Sequence, residues 1–157
     1  MLWCRRERNA VADARLYPER PFLAASAAIV RDGKVLVVRR ARAPANGVFS
    51  LPGGVVETGE TLHEAVAREV REETGLTIEP VALAGFRETI VRDQDNRVER
   101  HFVILPFAAR WLAGEPVLND ELSEWRWVDQ DELATLPTTP GLAAIVAAAF
   151  ERLAEAG

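Results

Sequence analysis

GVVETGETLHEAVAREVREETGL, residues Gly54–Leu76, is the stretch on which the reading of this chain turns. A glycine turn feeds a single helix that carries a burst of carboxylates. Thr61 followed three residues later by Glu64 is a capping-box pair, which predicts a helix starting at Leu62. Gly75 is a natural left-handed residue beyond a last helical turn, which puts the end at Thr74. On a helical wheel Leu62, Ala65 and Val66 form one apolar stripe, and Glu69, Glu72 and Glu73 continue that stripe in the second half.

A solvated charged face belongs opposite the apolar stripe, where Glu64 and Arg71 fall. Three carboxylates that prolong the buried stripe repel one another and lose hydration unless something cationic lies among them. An all-oxygen donor set suits Mg²⁺, which keeps several waters and binds through a few carboxylates together with substrate phosphates. The alternative for the helix alone is a surface helix whose glutamates pair with Arg68 and Arg71.

The full spacing bears on that choice. Gly54, five residues, Glu60, seven residues, Arg68-Glu69-Val70, one residue, Glu72-Glu73, one residue and Gly75-Leu76 resembles the Nudix box of the Nudix hydrolases, GX5EX7REUXEEXGU with U aliphatic. Every defined position matches, and Leu51-Pro52-Gly53-Gly54 is similar to the family's lead-in. The resemblance extends more loosely from about Phe22 to Leu136. It implies a Nudix-type α/β/α sandwich and hydrolysis of a nucleoside diphosphate linked to another moiety, with Mg²⁺ as cofactor and Mn²⁺ as the alternative. Carried over position by position, it makes Glu69, Glu72, Glu73 and the Gly53 carbonyl metal ligands. Glu60 and Arg68 become residues that hold the loop and helix so that the glutamates point correctly. Some family members take a general base from a loop glutamate ahead of a late tryptophan strand; Glu121 fits that place best, with Asp120 and Glu124 as competitors.

The rest of the chain supplies a frame for this helix. At 157 residues it reads as an N-terminal arm, 1–21, followed by one domain, 22–157. Phe22–Val30 reads as a small apolar strand, Asp32-Gly33 as a hairpin turn and Lys34–Arg40 as a strongly β-type strand. Phe49–Leu51 is a short strand feeding the box. Val81–Val91 and Val98–Trp111 read as partner strands, Trp125–Val128 as a short strand and Asp129–Leu136 as a short helix. Gly141–Ala156 is an amphipathic helix whose buried face is Leu142, Ile145, Val146, Ala149 and Leu153. Together these give a three-layer α/β/α arrangement with a mixed sheet.

Around the expected diphosphate, Arg39 and Arg40 end their strand where arginines can reach a phosphate. Phe22, Phe49, Phe86, Arg87, His101 and Phe102 are candidates for the nucleoside pocket, Phe49 and Arg87 foremost. ADP-ribose or a similar nucleotide sugar is the favoured substrate. House-cleaning hydrolysis of ordinary or oxidised nucleoside triphosphates is the second reading and a non-catalytic nucleotide sensor the third. The markers that some branches carry soon after the box are absent around Ile90–Gln94.

Bulk properties narrow the setting. The net charge of −5 argues against a broad nucleic-acid footprint, so the expected partner is a small-molecule nucleotide. Cys4 is the single cysteine, which excludes an internal disulfide framework, and no Cys/His cluster suggests zinc. No apolar run is long enough to span a membrane and no signal-peptide pattern opens the chain, so a cytoplasmic location is expected. A homodimer, with the arm exchanged between subunits, is a further expectation.

Overall fold

The computed structural model describes residues 14–42 and 47–157. Its strands are β1 (Phe22–Arg31), β2 (Lys34–Arg40), β3 (Phe49–Ser50), β4 (Gly53–Val55), β5 (Thr77–Leu83), β6 (Arg87–Arg92), β7 (Val98–Ala113) and β8 (Leu122–Val128). Its helices are α1 (Leu62–Thr74), α2 (Gln130–Leu133) and α3 (Leu142–Glu155). The expected arm falls largely on residues 1–13, which lie outside the described residues.

One eight-stranded sheet runs β3-β2-β1-β7-β5, with β4 on β1, β6 on β7 and β8 on β2. The β1–β7 pair is parallel and the other pairs are antiparallel, so the sheet is mixed as expected. β1 is central and covered on both faces; Ala24, Ala25, Ala27, Ala28 and Ile29 are all buried. That explains its alanine-rich run: a strand covered on both faces loses the polar alternation of a half-exposed one. Ala25, Ala27, Ile29, Leu36, Val38, Phe107 and Ala109 pack toward α1 residues Val66 and Val70. Ala28, Val35, Val37, Phe49, Ala108 and Val128 face the other way, against Leu142, Val146 and Ala149 of α3. Two helices thus sandwich the sheet, one on each face.

Local sequence chemistry sets the joints. Asp32 and Gly33 turn between β1 and β2 with positive φ at both residues, the geometry that an Asp-Gly pair tolerates. α1 covers the predicted residues because its capping box is complete. The Thr61 side chain accepts from the Glu64 N–H at 3.2 Å and Glu64 accepts from the Thr61 N–H at 2.8 Å. At the other end Gly75 is left-handed and its N–H donates to the Arg71 carbonyl at 2.9 Å.

Three expectations need correction. Val81–Val91 is two strands, because β7 is long enough to pair with β5 and then β6 along one edge, and the chain steps between them at Ala84–Phe86. Phe49–Leu51 is β3 only as far as Ser50; after Leu51-Pro52, β4 joins β1 instead of β2. The helix expected over Asp129–Leu136 is one turn, with Asp129 as its N-cap and Leu133 as its buried anchor. No helix among the described residues is long and apolar enough to cross a membrane.

The capping box predicts a measurable dependence. Thr61→Ala should lower the unfolding free energy by about 1 kcal/mol in urea denaturation, and Thr61→Ser should retain most of it.

Candidate functional site

The carboxylates of α1 divide by depth along the stripe. Glu73 is 1% exposed, deeper than Glu69, while Glu72 lies at the margin with its side chain more than half exposed. Each is met by an arginine. Arg68 donates from Nε and Nη2 to both oxygens of Glu60, at 2.7 and 2.8 Å, a bidentate pair. Its Nη1 reaches Glu69 at 2.9 Å and Glu72 at 3.3 Å, and Nη2 also donates to the Val55 carbonyl at 3.2 Å. One guanidinium therefore joins the loop before the helix, β4 and two glutamates of α1.

Arg40 plays the corresponding part for Glu73. Its Nη1 donates to Glu73 Oε1 at 2.7 Å, while the Gly53 N–H donates to Glu73 Oε2 at 2.9 Å. Arg40 Nη2 also reaches the Gly53 carbonyl at 3.3 Å. Arg40 comes to this face because successive strand residues point to opposite sides, and a bulge in the β2–β8 pairing between Arg39 and Arg40 re-aims the strand end.

These environments set the carboxylates apart. Hydrogen bonds from Arg68, then from the Glu57 backbone, pull Glu60 down to about 2. Burial pushes Glu69 up against the opposing effect of Arg68, with Glu72 and Glu121 adding to the rise. Burial also pushes Glu73 up to about 7, outweighing Arg40 and the Gly53 N–H. Carboxylates held above their ordinary range in this way favour any added cation that restores their charge.

Glycine makes the close approach possible. A Cβ on Gly54 would lie within 2.7 Å of both Glu69 carboxylate oxygens, and one on Gly53 would collide with the Ala25 carbonyl and the Ser26 backbone. The turn thus brings bare backbone against the acidic face, and side chains there would expel it. Four carboxyl groups, Glu60, Glu69, Glu72 and Glu73, share two guanidinium groups, Arg40 and Arg68. Glutamate oxygens beside the Gly53 carbonyl are a hard donor set of the kind Mg²⁺ and Mn²⁺ take, so the residues fit a divalent ion. Among the described residues, no three acidic, histidine or cysteine side chains converge tightly enough to cage an ion unaided.

The loop that carries the candidate base has a second role that sequence reasoning missed. The loop between β7 and β8 caps the end of α1: the Val117 N–H donates to the Thr74 carbonyl at 2.9 Å and the Asn119 N–H to the Glu73 carbonyl at 3.1 Å. Glu121 follows, fixed through its N–H to Asn119 Oδ1 at 3.0 Å and its carbonyl to the Ala41 N–H at 2.9 Å. Its carboxyl is near enough to Glu69 to add to the rise in that group's proton affinity. Gly114-Glu115-Pro116 reads only as a chain break; the unmet carbonyls expected at any helix end were the available signal.

The other candidates separate. Arg39 points to the α3 side, 3.5 Å from Glu124 and stacked on Phe49, over which Arg126 also lies. Phe49 is fully buried in that layer, so it offers no ring face to a nucleobase. Arg39, Phe49 and Glu124 are therefore not gathered with the α1 carboxylates. Arg87 is half-buried, its guanidinium pulled down by burial, and it stands in one cross-strand row with Ile104, Ala24 and Val55. Phe22 and Phe102 sit 6.0 Å apart in the next such row, and Phe86 is 70% exposed.

Comparison with known proteins gives the family. A NUDIX domain model matches residues 21–149. The chain is 37% identical over 122 residues to an ADP-ribose pyrophosphatase of Methanocaldococcus jannaschii, covering 78% of this chain and 69% of that protein. It is 34% identical over 119 residues to an NAD-capped RNA hydrolase, NudC, of Stutzerimonas stutzeri, of which it spans 39%. The crystal structure of a MutT NUDIX hydrolase from Burkholderia pseudomallei superposes with a TM-score of 0.71 at 34% identity, over 82% of this chain and 98% of that one.

The Glu60–Arg68 pair predicts an acid-limb signature. A folded-state pKa below the unfolded one contributes stability above the ordinary carboxylate range that is lost as pH falls toward about 2. Urea midpoints should fall across that acid window in the native chain, and Glu60→Gln should flatten this part of the profile while lowering stability at neutral pH.

Proposed function

This chain belongs to the NUDIX domain family, and on that premise we propose that it hydrolyses the diphosphate of a nucleoside diphosphate linked to another moiety, with ADP-ribose or a similar nucleotide sugar as substrate. The enzyme class is hydrolase, acting on phosphoric anhydride bonds. The observation that carries the reading is the set of Glu69, Glu72 and Glu73 on one helix face against a bare glycine turn, with more carboxyl groups than arginines to meet them.

Glu69, Glu72, Glu73 and the Gly53 carbonyl would hold Mg²⁺ or Mn²⁺. Such an ion supplies neutralisation of the diphosphate and a lowered pKa for a bound water. The residues of the chain do the rest. Arg68 and Glu60 fix α1 relative to the turn, so the donor oxygens keep their spacing without further ordering. Glu121, tied down by the loop that caps α1, accepts the proton of the attacking water as general base. Water adds to one phosphorus while the bridging P–O bond breaks, and the products are a nucleoside monophosphate and a second phosphorylated fragment. Arg87, a half-buried cation with no ion pair recorded among the described residues, is suited to an anionic or carbonyl group of the substrate.

The likeness to the methanogen pyrophosphatase supports ADP-ribose. The likeness to a MutT hydrolase supports a second reading, release of pyrophosphate from ordinary or oxidised nucleoside triphosphates. Products from a panel of ADP-ribose, other nucleotide sugars, dinucleotides and triphosphates, with Mg²⁺ or Mn²⁺, separate the two. AMP from ADP-ribose is expected, and pyrophosphate from triphosphates would transfer the assignment to the second reading. Glu72→Gln, exposed enough to leave folding intact, should cost on the order of a thousandfold in kcat. Glu121→Gln should lower kcat by roughly 10²–10⁴ with KM little changed; an unchanged kcat would remove Glu121 as base.

A further inference from the structure

Arg40 occupies the position that a cation would take between two of the proposed ligands. Its guanidinium bridges Glu73 Oε1 at 2.7 Å and the Gly53 carbonyl at 3.3 Å, with the Leu51 carbonyl at 3.5 Å. The second oxygen of Glu73 is taken by the Gly53 N–H. A divalent ion placed between Glu73 Oε1 and the Gly53 carbonyl would lie where the guanidinium now lies, and two cations at that separation repel.

The geometry points to Arg40 as an exchangeable counter-ion, which holds the ligand set together without metal and is released by the metal to bind the substrate's phosphate. The inference rests on the metal-dependent reading above and adds a step to it.

Three features favour release over permanence. Arg40 is the last residue of β2, so a change at its side chain need not disturb the strand behind it. Its side chain is about a quarter exposed, against 1% for Glu73, which leaves it a path to solvent. Its contacts to the carbonyls of Leu51 and Gly53 are long, so only the bond to Glu73 is strong. Arg68 is equally exposed but differs in its bonding: it lies within α1, it is bidentate to Glu60, which is no proposed ligand, and it also reaches the Val55 carbonyl of β4 and Glu69. Fixed Arg68 and movable Arg40 thus divide the work of neutralising one acidic face. A guanidinium freed from Glu73 remains beside the site, where its planar donors match a phosphate.

Two measurements test this. In the native chain, the Arg40 Nη–H resonances followed by NMR should shift and lose protection on addition of Mg²⁺, while the Arg68 Nε–H resonance, bonded to Glu60, stays in place. Mn²⁺ binding followed by electron paramagnetic resonance, at about pH 8 so that carboxylates are ionised, should be on the order of tenfold tighter in Arg40→Gln because no cation need be displaced. The same variant should bind AMP more weakly in the presence of metal. Native Mn²⁺ binding with an unmoved Arg40 resonance, or with equal or weaker binding in Arg40→Gln, would overturn the exchange and leave the metal-dependent reading standing. No Mn²⁺ binding by the native chain would overturn that reading itself.

Discussion

The structure depends on burying carboxylates that repel one another, and arginine makes this tolerable. An ionised glutamate 1% exposed loses almost all its hydration, and nearby acids raise the cost further. Arg40 and Arg68 return part of that loss through short charge-assisted hydrogen bonds. The compensation is incomplete, as the raised proton affinities of Glu69 and Glu73 record. Incomplete compensation is what a cation site requires. A fully neutralised cluster would have no residual attraction for a metal, and an unneutralised one would oppose folding.

Backbone placement is the second half of the same solution. Gly53 serves Glu73 with its N–H and Arg40 with its carbonyl, so a single peptide segment is both anion partner and cation ligand. That requires β4 to press against β1 and the turn to lie against Glu69, and both approaches exclude a Cβ. The β7–β8 loop adds N–H donors at the far end of α1, where unmet carbonyls would otherwise be exposed. The helix is therefore held at both ends by groups that also shape the site.

Periodicity, capping and turn chemistry made the frame readable before any coordinates. The ends of α1 follow from Thr61, Glu64 and Gly75; β1 and β2 follow from an apolar run and Asp32-Gly33. What could not be read depends on pairing between distant segments. No local pattern says that β7 will take β5 and β6 as successive partners, so one strand was expected where two exist. Arg39 and Arg40 are adjacent and chemically identical, yet one stacks on Phe49 behind the sheet and the other enters the acidic cluster. Alternation predicts that they diverge, but which of them faces α1 depends on the pairing with β8 and its bulge at Ser123. Phe49 misled for a related reason, since an aromatic beside a binding motif has the same appearance in core and pocket.

The same distinction explains why chemistry is easier to assign than substrate. In the proposed reading, bond cleavage uses groups whose spacing is set within one helix and one turn, so a linear pattern carries it. The sheet surface beyond the turn is different: Val55, Ala24, Ile104 and Arg87 come from four strands. Their row exists only after β4 has joined β1 and β7 has laid parallel to it. Arg87 is half-buried at the end of that row, where a cation is costly unless an anionic or carbonyl partner arrives to meet it. On the proposed function, the carboxylate half of the site is thus written in consecutive residues and the half around Arg87 in register, so chains that share the former can diverge in the latter by small changes in strands far apart in the chain.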